Sequence, residues 1–251
     1  MQQWKNRVAV VTGASSGIGA AIAKALVKAG MITIGLARRV DRVQKLKEEL
    51  PKDLGKNLHT FKCDITKEDE IIQIFSEIDE KFGGIHVLIN NAGISISIGL
   101  IDNNNSDIIH KIIDTNVLGP IFCTREAYKA MSKHGINSHV VHINSIFGHI
   151  PPLVSDEFNT SIYSASKYAL KVINEVHRQE FIQSKHHIKV SSVSPGYVKT
   201  EMTLNSFGEE NLAKVPHLQP EDVAQSVLHI LGTPPHVQIH ELIIKAFGEE
   251  V

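Results

Sequence analysis

Cysteine, long apolar runs and net charge are all scarce in this sequence, and each scarcity excludes a class of protein. Two cysteines, Cys63 and Cys123, are too few for a disulfide framework and suit a reducing compartment. Every apolar run is far shorter than the roughly 20 residues that a membrane-spanning helix needs. Residues 1–7 lead directly into a strand-like segment and leave no room for a signal peptide. We therefore expect a cytoplasmic protein without a transmembrane segment.

The charged residues almost balance. Lys and Arg number 26 and Asp and Glu number 27, which gives a formal net charge of −1. Such a chain has no strong field to recruit nucleic acid or an anionic membrane, and we predict neither as a partner. The contents of hydrophobic (42%) and charged (21%) residues match packed soluble domains, which excludes a disordered chain, a collagen and a coiled coil.

Fourteen histidines raise the question of a metal site. The closest pairs are His139 with His142, His186 with His187, and His236 with His240. None forms a helical His-Glu-x-x-His motif, and none lies beside a Cys-x-x-Cys motif. Solvated or hydrogen-bonded histidines account for this pattern better than ligands do, and we predict no metal ion.

Short apolar segments alternate with longer amphipathic segments along the chain. The predicted strands cover 7–11, 31–37, 58–63, 85–89, 140–143, 190–193 and 237–244. The predicted helices cover 18–29, 41–50, 67–82, 105–134 and 162–184, and a further helix starts at Pro220. Thr66 is expected to cap the third helix, with Asp69 at its N3 position. The alternation, without repeats or a flexible linker, predicts one α/β domain over 1–251, built on a doubly wound parallel sheet.

Three segments interrupt this alternation, at 94–104, 146–161 and 200–218. Each leaves the carboxyl end of a predicted strand, where open α/β sheets bind ligands, so we expect these segments to build the substrate site. Their apolar residues are Ile94, Ile96, Ile98, Leu100, Ile146, Phe147, Ile150, Leu153, Met202, Leu204 and Phe207. The first two segments contain no arginine to bind a carboxylate or phosphate. A hydrophobic alcohol or carbonyl therefore fits better than a charged metabolite.

A glycine-rich segment, Thr12-Gly13-Ala14-Ser15-Ser16-Gly17-Ile18-Gly19, follows the first predicted strand and precedes an alanine-rich helix. Glycines let the backbone turn tightly and approach a pyrophosphate, and the helix N-terminus offers free N–H groups to it. The spacing differs from the common G-x-G-x-x-G, and an ordinary glycine-rich turn is the alternative. Its position in a β-α-β unit favours a dinucleotide site.

The end of the second predicted strand distinguishes the two nicotinamide cofactors. NAD-binding proteins usually place an acidic residue there, which binds the ribose 2′-hydroxyl. Here the segment reads Leu36-Ala37-Arg38-Arg39, and no acid comes before Asp41. Two solvated arginines are one interpretation, but the planar guanidinium groups of Arg38 and Arg39 suit a 2′-phosphate. The sequence therefore favours NADP over NAD.

Tyr163 and Lys167 are four residues apart in a predicted helix, one turn from each other on the same face. A tyrosine pKa near 10 makes a poor acid or base at neutral pH, and a nearby ammonium lowers that pKa. Ser145 follows the fifth predicted strand, where its hydroxyl would face the ligand crevice, and Asn116 is a polar residue in an apolar helical segment. Each residue alone is common, so the set is informative only together with the glycine-rich turn.

With that turn, the chain resembles the short-chain dehydrogenase/reductase family along essentially its whole length. The matching segments are 12–19, Asp64, 90–93, Asn116, Ser145, Tyr163 with Lys167, and Pro195-Gly196. The resemblance implies a seven-stranded Rossmann-type sheet of order 3-2-1-4-5-6-7 with helices on both faces. It also implies hydride transfer between NADP and an alcohol or carbonyl. Within the family, segments 35–39, 123–128, 220–224 and 237–239 resemble insect farnesol dehydrogenases that use NADP and a group of vertebrate relatives, which implies farnesol as substrate.

The resemblance also implies a role for each site residue. Tyr163 would be the general acid/base, Lys167 would lower its pKa and bind the nicotinamide ribose, and Ser145 would orient the substrate oxygen. Asn116 would hold a water molecule that links Lys167 to solvent. The implied cofactor-binding residues are Gly13, Ser15, Ser16, Gly17, Ile18, Gly19, Arg38, Arg39, Asp64, Ile65, Asn91, Ala92, Gly93, Tyr163, Lys167, Pro195, Gly196, Val198 and Thr200.

Alternatives stay open for the substrate and for catalysis itself. A steroid, retinoid or xenobiotic ketone is the second substrate class, and a non-catalytic NADP sensor is a third possibility. Ser145 and Tyr163 are 18 residues apart, more than in most relatives, because of an insertion at 151–158 that is expected near the mouth of the cleft. By analogy with the family, helices 105–134 and 162–184 would pack against a second copy in a homodimer or homotetramer.

Overall fold

In the computed structural model, which describes residues 1–154 and 159–250, the strands form one parallel sheet of order β3-β2-β1-β4-β5-β6-β7. The strands are β1 (Val8–Thr12), β2 (Ile32–Ala37), β3 (Leu58–Lys62), β4 (Val87–Asn90), β5 (Ser138–Ile143), β6 (Ile188–Pro195) and β7 (Glu241–Ile244). β1 pairs in parallel with β2 on one side and with β4 on the other. The predicted order is confirmed, and the crevice above β1 and β4 is the switch point at which such sheets bind ligands.

Helices cover both faces of the sheet. They are α1 (Gly17–Lys28), α2 (Val40–Glu49), α3 (Lys52–Gly55), α4 (Glu68–Phe82), α5 (Ser106–Ile113), α6 (Gly119–His134), α7 (Ser161–Gln183), α8 (Glu201–Phe207), α9 (Glu209–Ala213) and α10 (Pro220–Leu231). Successive residues of β1 belong to different hydrophobic clusters. Ala9 and Val11 pack with α1 and α10, whereas Val8 and Val10 pack with α4 and α6. The two-residue period of a strand thus supplies both cores, as a doubly wound sheet requires.

Several of the predicted element ends are wrong. β4 begins at Val87 and not at residue 85, β5 begins at Ser138 and not at residue 140, and β6 covers Ile188–Pro195 and not 190–193. β7 begins at Glu241 and not at residue 237. Two carbonyl groups before β7 accept hydrogen bonds from side chains of β6. Lys189 Nζ donates to Val237 O at 2.8 Å, and Ser191 Oγ donates to Ile239 O at 2.5 Å. α4 begins at Glu68 after Lys67, and the Thr66 hydroxyl donates to Asp64 Oδ1 at 2.8 Å instead of capping the helix.

The predicted helix 105–134 is divided by a π-helix, Asp114–Leu118, between α5 and α6. Two of the segments expected to interrupt the alternation also contain some regular structure. The segment 200–218 contains the short helices α8 and α9, and a 3₁₀ turn covers Ile146–Gly148. Half of the predicted insertion at 151–158 lies outside the described residues. Among those described, no helix is long and apolar enough to cross a membrane, and both cysteines are buried free thiols.

Candidate active site

The glycine-rich turn lies between β1 and α1, at the crevice. Gly13 and Gly17 have φ angles of 68° and 53°, a left-handed conformation that glycine adopts without a steric penalty. A Cβ atom on Gly19 would lie 2.4 Å from Asn91 Nδ2, so only glycine lets α1 approach the end of β4 this closely. Within the described chain, the Ser16 side chain makes no capping hydrogen bond to α1. The first N–H groups of the helix are therefore available to an anion.

Thr12 and Asn91 hold this turn against the segment that follows β4. The Thr12 hydroxyl accepts hydrogen bonds from the N–H groups of Asn91 and Ala92, both at 3.0 Å. Asn91 Nδ2 in return donates to Thr12 O at 2.9 Å. These reciprocal bonds between the carboxyl ends of β1 and β4 explain why sequence segments almost 80 residues apart act as one wall.

A cleft of about 510 Å³ lies above this wall, at the carboxyl ends of the strands. Every predicted cofactor-binding residue except Gly19 lines it, from the glycine-rich turn through Arg38 and Arg39 to Thr200. Gly19 lies behind the lining, against Asn91. Ser145, Tyr163 and Lys167 lie in the same cleft, whereas Asn116 is buried behind it.

Tyr163 and Lys167 project from the first turns of α7 into this cleft. Ser145, directly after β5, makes a side-chain hydrogen bond to Tyr163 and also accepts the Phe147 N–H at 3.2 Å. Lys167 Nζ lies 5.7 Å from the centroid of the Tyr163 ring and donates to Ile143 O at 2.8 Å. Three of the four side chains that the sequence analysis grouped therefore do meet, at the end of β5 and the start of α7.

Burial is the main cause of the pKa shifts of Tyr163 and Lys167. It raises the pKa of Tyr163 to about 12, against a smaller lowering by the Ser145 hydrogen bond, and it lowers the pKa of Lys167 to about 8. We expected the ammonium to lower the tyrosine pKa. The net shift of the Tyr163 pKa is upward instead, because removing a phenolate from water outweighs the stabilisation that its neighbours provide. At neutral pH the pair is a neutral phenol beside an ammonium ion.

Asn116 lies in the π-helix, a rare element that is often found at functional sites. Its side chain pairs with the backbone of Ile94, accepting the N–H and donating to the carbonyl, both at 2.9 Å. It also donates to Ser166 Oγ at 3.0 Å. A Cβ atom on Gly93 would lie 3.4 Å from Asn116 Oδ1 and 3.9 Å from Lys167 Nζ, so both polar groups border the same face of this glycine.

Five of the apolar residues predicted for the substrate site line the cleft. They are Ile94, Ile96, Phe147, Met202 and Phe207. The other six are outside the lining. Leu100, Ile150 and Leu153 are exposed, and Ile146 is buried. The Phe207 ring stacks on Tyr197 with centroids 5.0 Å apart, so α8 adds an aromatic wall.

The sequence analysis missed three polar residues at or beside this site, and it named Thr12, described above, only as part of the glycine-rich motif. Asn144 is buried beside Ser145, and neither polar atom of its amide has a partner among the described residues. Glu249 accepts the Tyr197 N–H at 3.1 Å, and Glu201 pairs with Arg39. No local pattern marks Glu249 or Glu201, since each contacts a residue more than 50 positions away.

A glycine-rich phosphate turn and a buried Tyr/Lys pair at the carboxyl edge of one parallel sheet define a nicotinamide-dependent oxidoreductase class. The family model described as short chain dehydrogenase matches residues 7–211, and the chain belongs to this family of oxidoreductases. The expected resemblance is confirmed.

Particular relatives extend the likeness over the full length. Farnesol dehydrogenase of Aedes aegypti is 48% identical over 250 residues, covering 100% of both chains. Dehydrogenase/reductase SDR family member 11 of Mus musculus is 38% identical, covering 96% of this chain and 95% of the relative. Among solved structures, an alcohol dehydrogenase of the archaeon Thermococcus sibiricus complexed with 5-hydroxy-NADP is similar with a TM-score of 0.84, at 25% identity and 98% coverage of each chain.

Proposed function

We propose that this protein transfers hydride between NADP and a hydrophobic alcohol or its carbonyl, with farnesol and farnesal as the substrate pair. The Tyr163 hydroxyl, hydrogen bonded to Ser145 in a cleft with an apolar wall, is the observation that carries the reaction class. The substrate is suggested by the 48% identity to a farnesol dehydrogenase over the whole chain.

The cleft residues fit NADP. The first N–H groups of α1 suit the pyrophosphate, and Arg38 and Arg39, which line the cleft, have guanidinium groups that suit a 2′-phosphate. Asp64 and Ile65 line the part of the cleft that we assign to adenine, and Asn91 to Gly93 the part beside its ribose. When bound, the cofactor supplies or accepts the hydride, and the protein supplies position and electrostatics.

The Tyr163 hydroxyl is the group that moves the substrate proton. In carbonyl reduction the neutral phenol donates its proton to the substrate oxygen, and in alcohol oxidation the phenolate accepts one. The Ser145 hydroxyl, already bonded to Tyr163, holds that oxygen and stabilises the charge that develops on it. The Lys167 ammonium and the positive charge of an oxidised nicotinamide both favour the phenolate and offset its burial.

Asn116 and Lys167 are proposed to share a water molecule that returns the proton to solvent. Their polar atoms border the same face of Gly93, where glycine leaves room that a side chain would fill. The other hydrogen bonds of Asn116 hold the Ile94 backbone, so the same residue also positions one wall of the cleft.

Initial rates of nicotinamide reduction, with farnesol crossed against NADP and NAD, test this function directly. We expect a strong rate with NADP and a rate at least about tenfold weaker with NAD, the equivalent of one lost charge-assisted contact. A preference for NAD would contradict the cofactor assignment and leave the family intact. Inactivity on farnesol, with NADPH-dependent reduction of a steroid, retinoid or simple ketone, would replace the isoprenoid substrate by the second class.

We also propose a homo-oligomer that pairs through α7. Tyr168, Val172 and Val176 recur every four residues on this helix and are 39%, 64% and 44% exposed, an apolar stripe typical of an interface.

Val172→Glu is expected to convert the oligomer to monomers in sedimentation velocity, because a charge in the centre of an apolar interface is left unpaired. Ile72→Glu, a matched change at a 40% exposed isoleucine on α4, is expected to leave the assembly unchanged. A Val172→Glu protein that sediments like the wild type would exclude this face as the interface.

A further inference from the structure

A cluster of three charged side chains, Arg39, Arg42 and Glu201, joins two distant parts of the chain at the edge of the cleft. Arg42 Nη1 lies 2.8 Å from Glu201 Oε2. Arg39 Nη1 and Nη2 lie 3.4 Å and 3.3 Å from Glu201 Oε1 and Oε2. One carboxylate therefore pairs with two guanidinium groups, and all three side chains are partly open to solvent.

The cluster adjoins the glycine-rich turn. Arg39 Nη2 lies 3.4 Å from Ser16 Oγ, and Arg39 and Glu201 both line the cleft. Arg39 is one of the two residues assigned above to the cofactor 2′-phosphate. An anion held between two guanidinium groups marks an anion subsite, and here a carboxylate of the protein itself occupies it.

Glu201 is the first residue of α8, which carries two apolar residues of the substrate wall, Met202 and Phe207. The ends of the segment 200–218 are held by backbone hydrogen bonds, from Lys199 N–H to Leu218 O at 2.9 Å and from Leu218 N–H to Tyr197 O at 2.8 Å. The two ion pairs of Glu201 connect the start of α8, near the held end of this segment, to Arg39 and to Arg42 in the first turn of α2. They therefore link the substrate wall to the cofactor end of the cleft.

We propose that Glu201 occupies the 2′-phosphate subsite as an internal anion, and that the phosphate of NADP displaces it and releases α8 from Arg39 and Arg42. This inference rests on the proposed use of NADP. A phosphate monoester carries a charge of about −1.5 to −2 with three acceptor oxygens, against one charge and two oxygens for a carboxylate, so the phosphate wins this exchange. Arg42 becomes a further specificity-determining residue, and Glu201 lowers the affinity for the phosphorylated cofactor.

Nucleotide fragments test the displacement of Glu201 by the 2′-phosphate without any turnover. Adenosine 2′,5′-bisphosphate carries the 2′-phosphate, and 5′-AMP is the matched fragment without it. By calorimetry we expect Glu201→Gln to bind the bisphosphate about three- to tenfold more tightly than the wild type, since two exposed ion pairs no longer compete. Its Kd for 5′-AMP should stay within about twofold. Glu49→Gln, which removes the equally exposed Lys24–Glu49 pair far from the cleft, should change neither Kd.

Amide hydrogen exchange tests the release of α8. We expect the bisphosphate, but not 5′-AMP, to accelerate exchange of the backbone amides of 201–207 in the wild type, although bound ligands usually slow exchange. In Glu201→Gln these amides should exchange fast before any nucleotide is added.

The two proposals fail in different ways. If the wild type has equal Kd values for the two nucleotides, the preference for NADP is contradicted. The proposed displacement of Glu201 by a 2′-phosphate is then excluded with it. If the wild type instead binds the bisphosphate more tightly than 5′-AMP, the cofactor assignment is supported. The internal anion is then excluded if Glu201→Gln leaves the Kd for the bisphosphate unchanged, or if the bisphosphate does not accelerate amide hydrogen exchange of 201–207.

Discussion

Replacing Tyr163 with phenylalanine is expected to lower kcat for farnesol oxidation by about 10²- to 10⁴-fold, the usual contribution of a positioned general acid or base. The change deletes one oxygen atom, the partner of the Ser145 hydrogen bond, and keeps the ring that packs beside Lys167. NADPH binding, followed by the fluorescence of the reduced nicotinamide, should stay within about threefold of wild type, since the phenylalanine ring still fills the site.

Tyr168→Phe is the matched control. Tyr168 lies on the same helix, is partly exposed, and donates its hydroxyl hydrogen bond to His149 O. We expect its kcat to remain within about twofold of wild type, because the change keeps the ring that faces the proposed α7 interface and removes only a hydroxyl outside the cleft lining. If Tyr163→Phe keeps a tenth or more of the wild-type kcat, another group moves the proton. A wild-type protein that binds NADPH but turns over no alcohol or carbonyl would favour the non-catalytic sensor.

Acid pH is expected to destabilise the fold steeply between about pH 6.5 and pH 5. Three histidines on β5 and α7 are buried: His139, His142 and His177. Burial lowers their pKa values, to about 3 for His139, to about 4 for His177 and well below the ordinary value for His142. His142 Nε2 and His177 Nδ1 are 3.3 Å apart, so these two rings form a hydrogen-bonded pair.

The direction in which the free energy of unfolding changes with pH follows from proton binding. Below pH 6.5 these histidines bind protons in the unfolded chain and remain neutral in the folded one, so the free energy of unfolding falls as the pH falls. At pH 5, a protonation that burial suppresses in the folded state lowers the free energy of unfolding by about 2 kcal/mol relative to pH 7.5. Paired carboxylates such as Asp79 also have a lowered pKa, but they lose stability only below about pH 4.

Urea unfolding followed by circular dichroism from pH 7.5 to pH 5 measures this slope. His86 is also buried, and burial lowers its pKa to about 4, so it adds a fourth suppressed protonation. His177→Gln should therefore reduce the slope by about one quarter. His187→Gln, a change at an exposed histidine, should leave the slope unaltered. A free energy of unfolding that stays constant over this range would mean that the buried histidines are already charged in the folded protein or reach solvent there.

Much of the fold could be predicted from local patterns. The β-branched residues of β1 and the apolar run of β4 are strand signals that depend only on neighbours in the chain. Pro220 at the start of α10, in a capping box formed by Gln219 and Asp222, is a local signal of the same kind. The start of β7 was predicted wrongly because the Lys189 side chain donates to the Val237 carbonyl, which a strand would have paired with backbone. The cap of α4 was predicted wrongly because the Thr66 hydroxyl donates to Asp64 in the preceding turn.

The candidate site divides in the same way. The glycine-rich turn and the four-residue spacing of Tyr163 and Lys167 are short-range features. The residues of the turn, Tyr163 and Lys167 line the cleft as predicted. Arg42 and Glu201 are 159 residues apart, so no window of sequence could pair them. The ionisation of Tyr163 was likewise beyond the sequence, because its direction depends on how completely the surrounding elements exclude water.

By itself, then, the sequence determined the strand–helix alternation, the glycine-rich turn, the basic residues after β2 and the spacing of the candidate catalytic side chains. These depend on backbone conformation and on residue spacing, which act over a few residues. The tertiary structure decided that Ser145 meets Tyr163, that Asn116 and Lys167 border one glycine, and that Glu201 pairs with the arginines expected to bind phosphate. Such contacts depend on the packing of elements far apart in the chain, and only the folded sheet brings their ends to one edge.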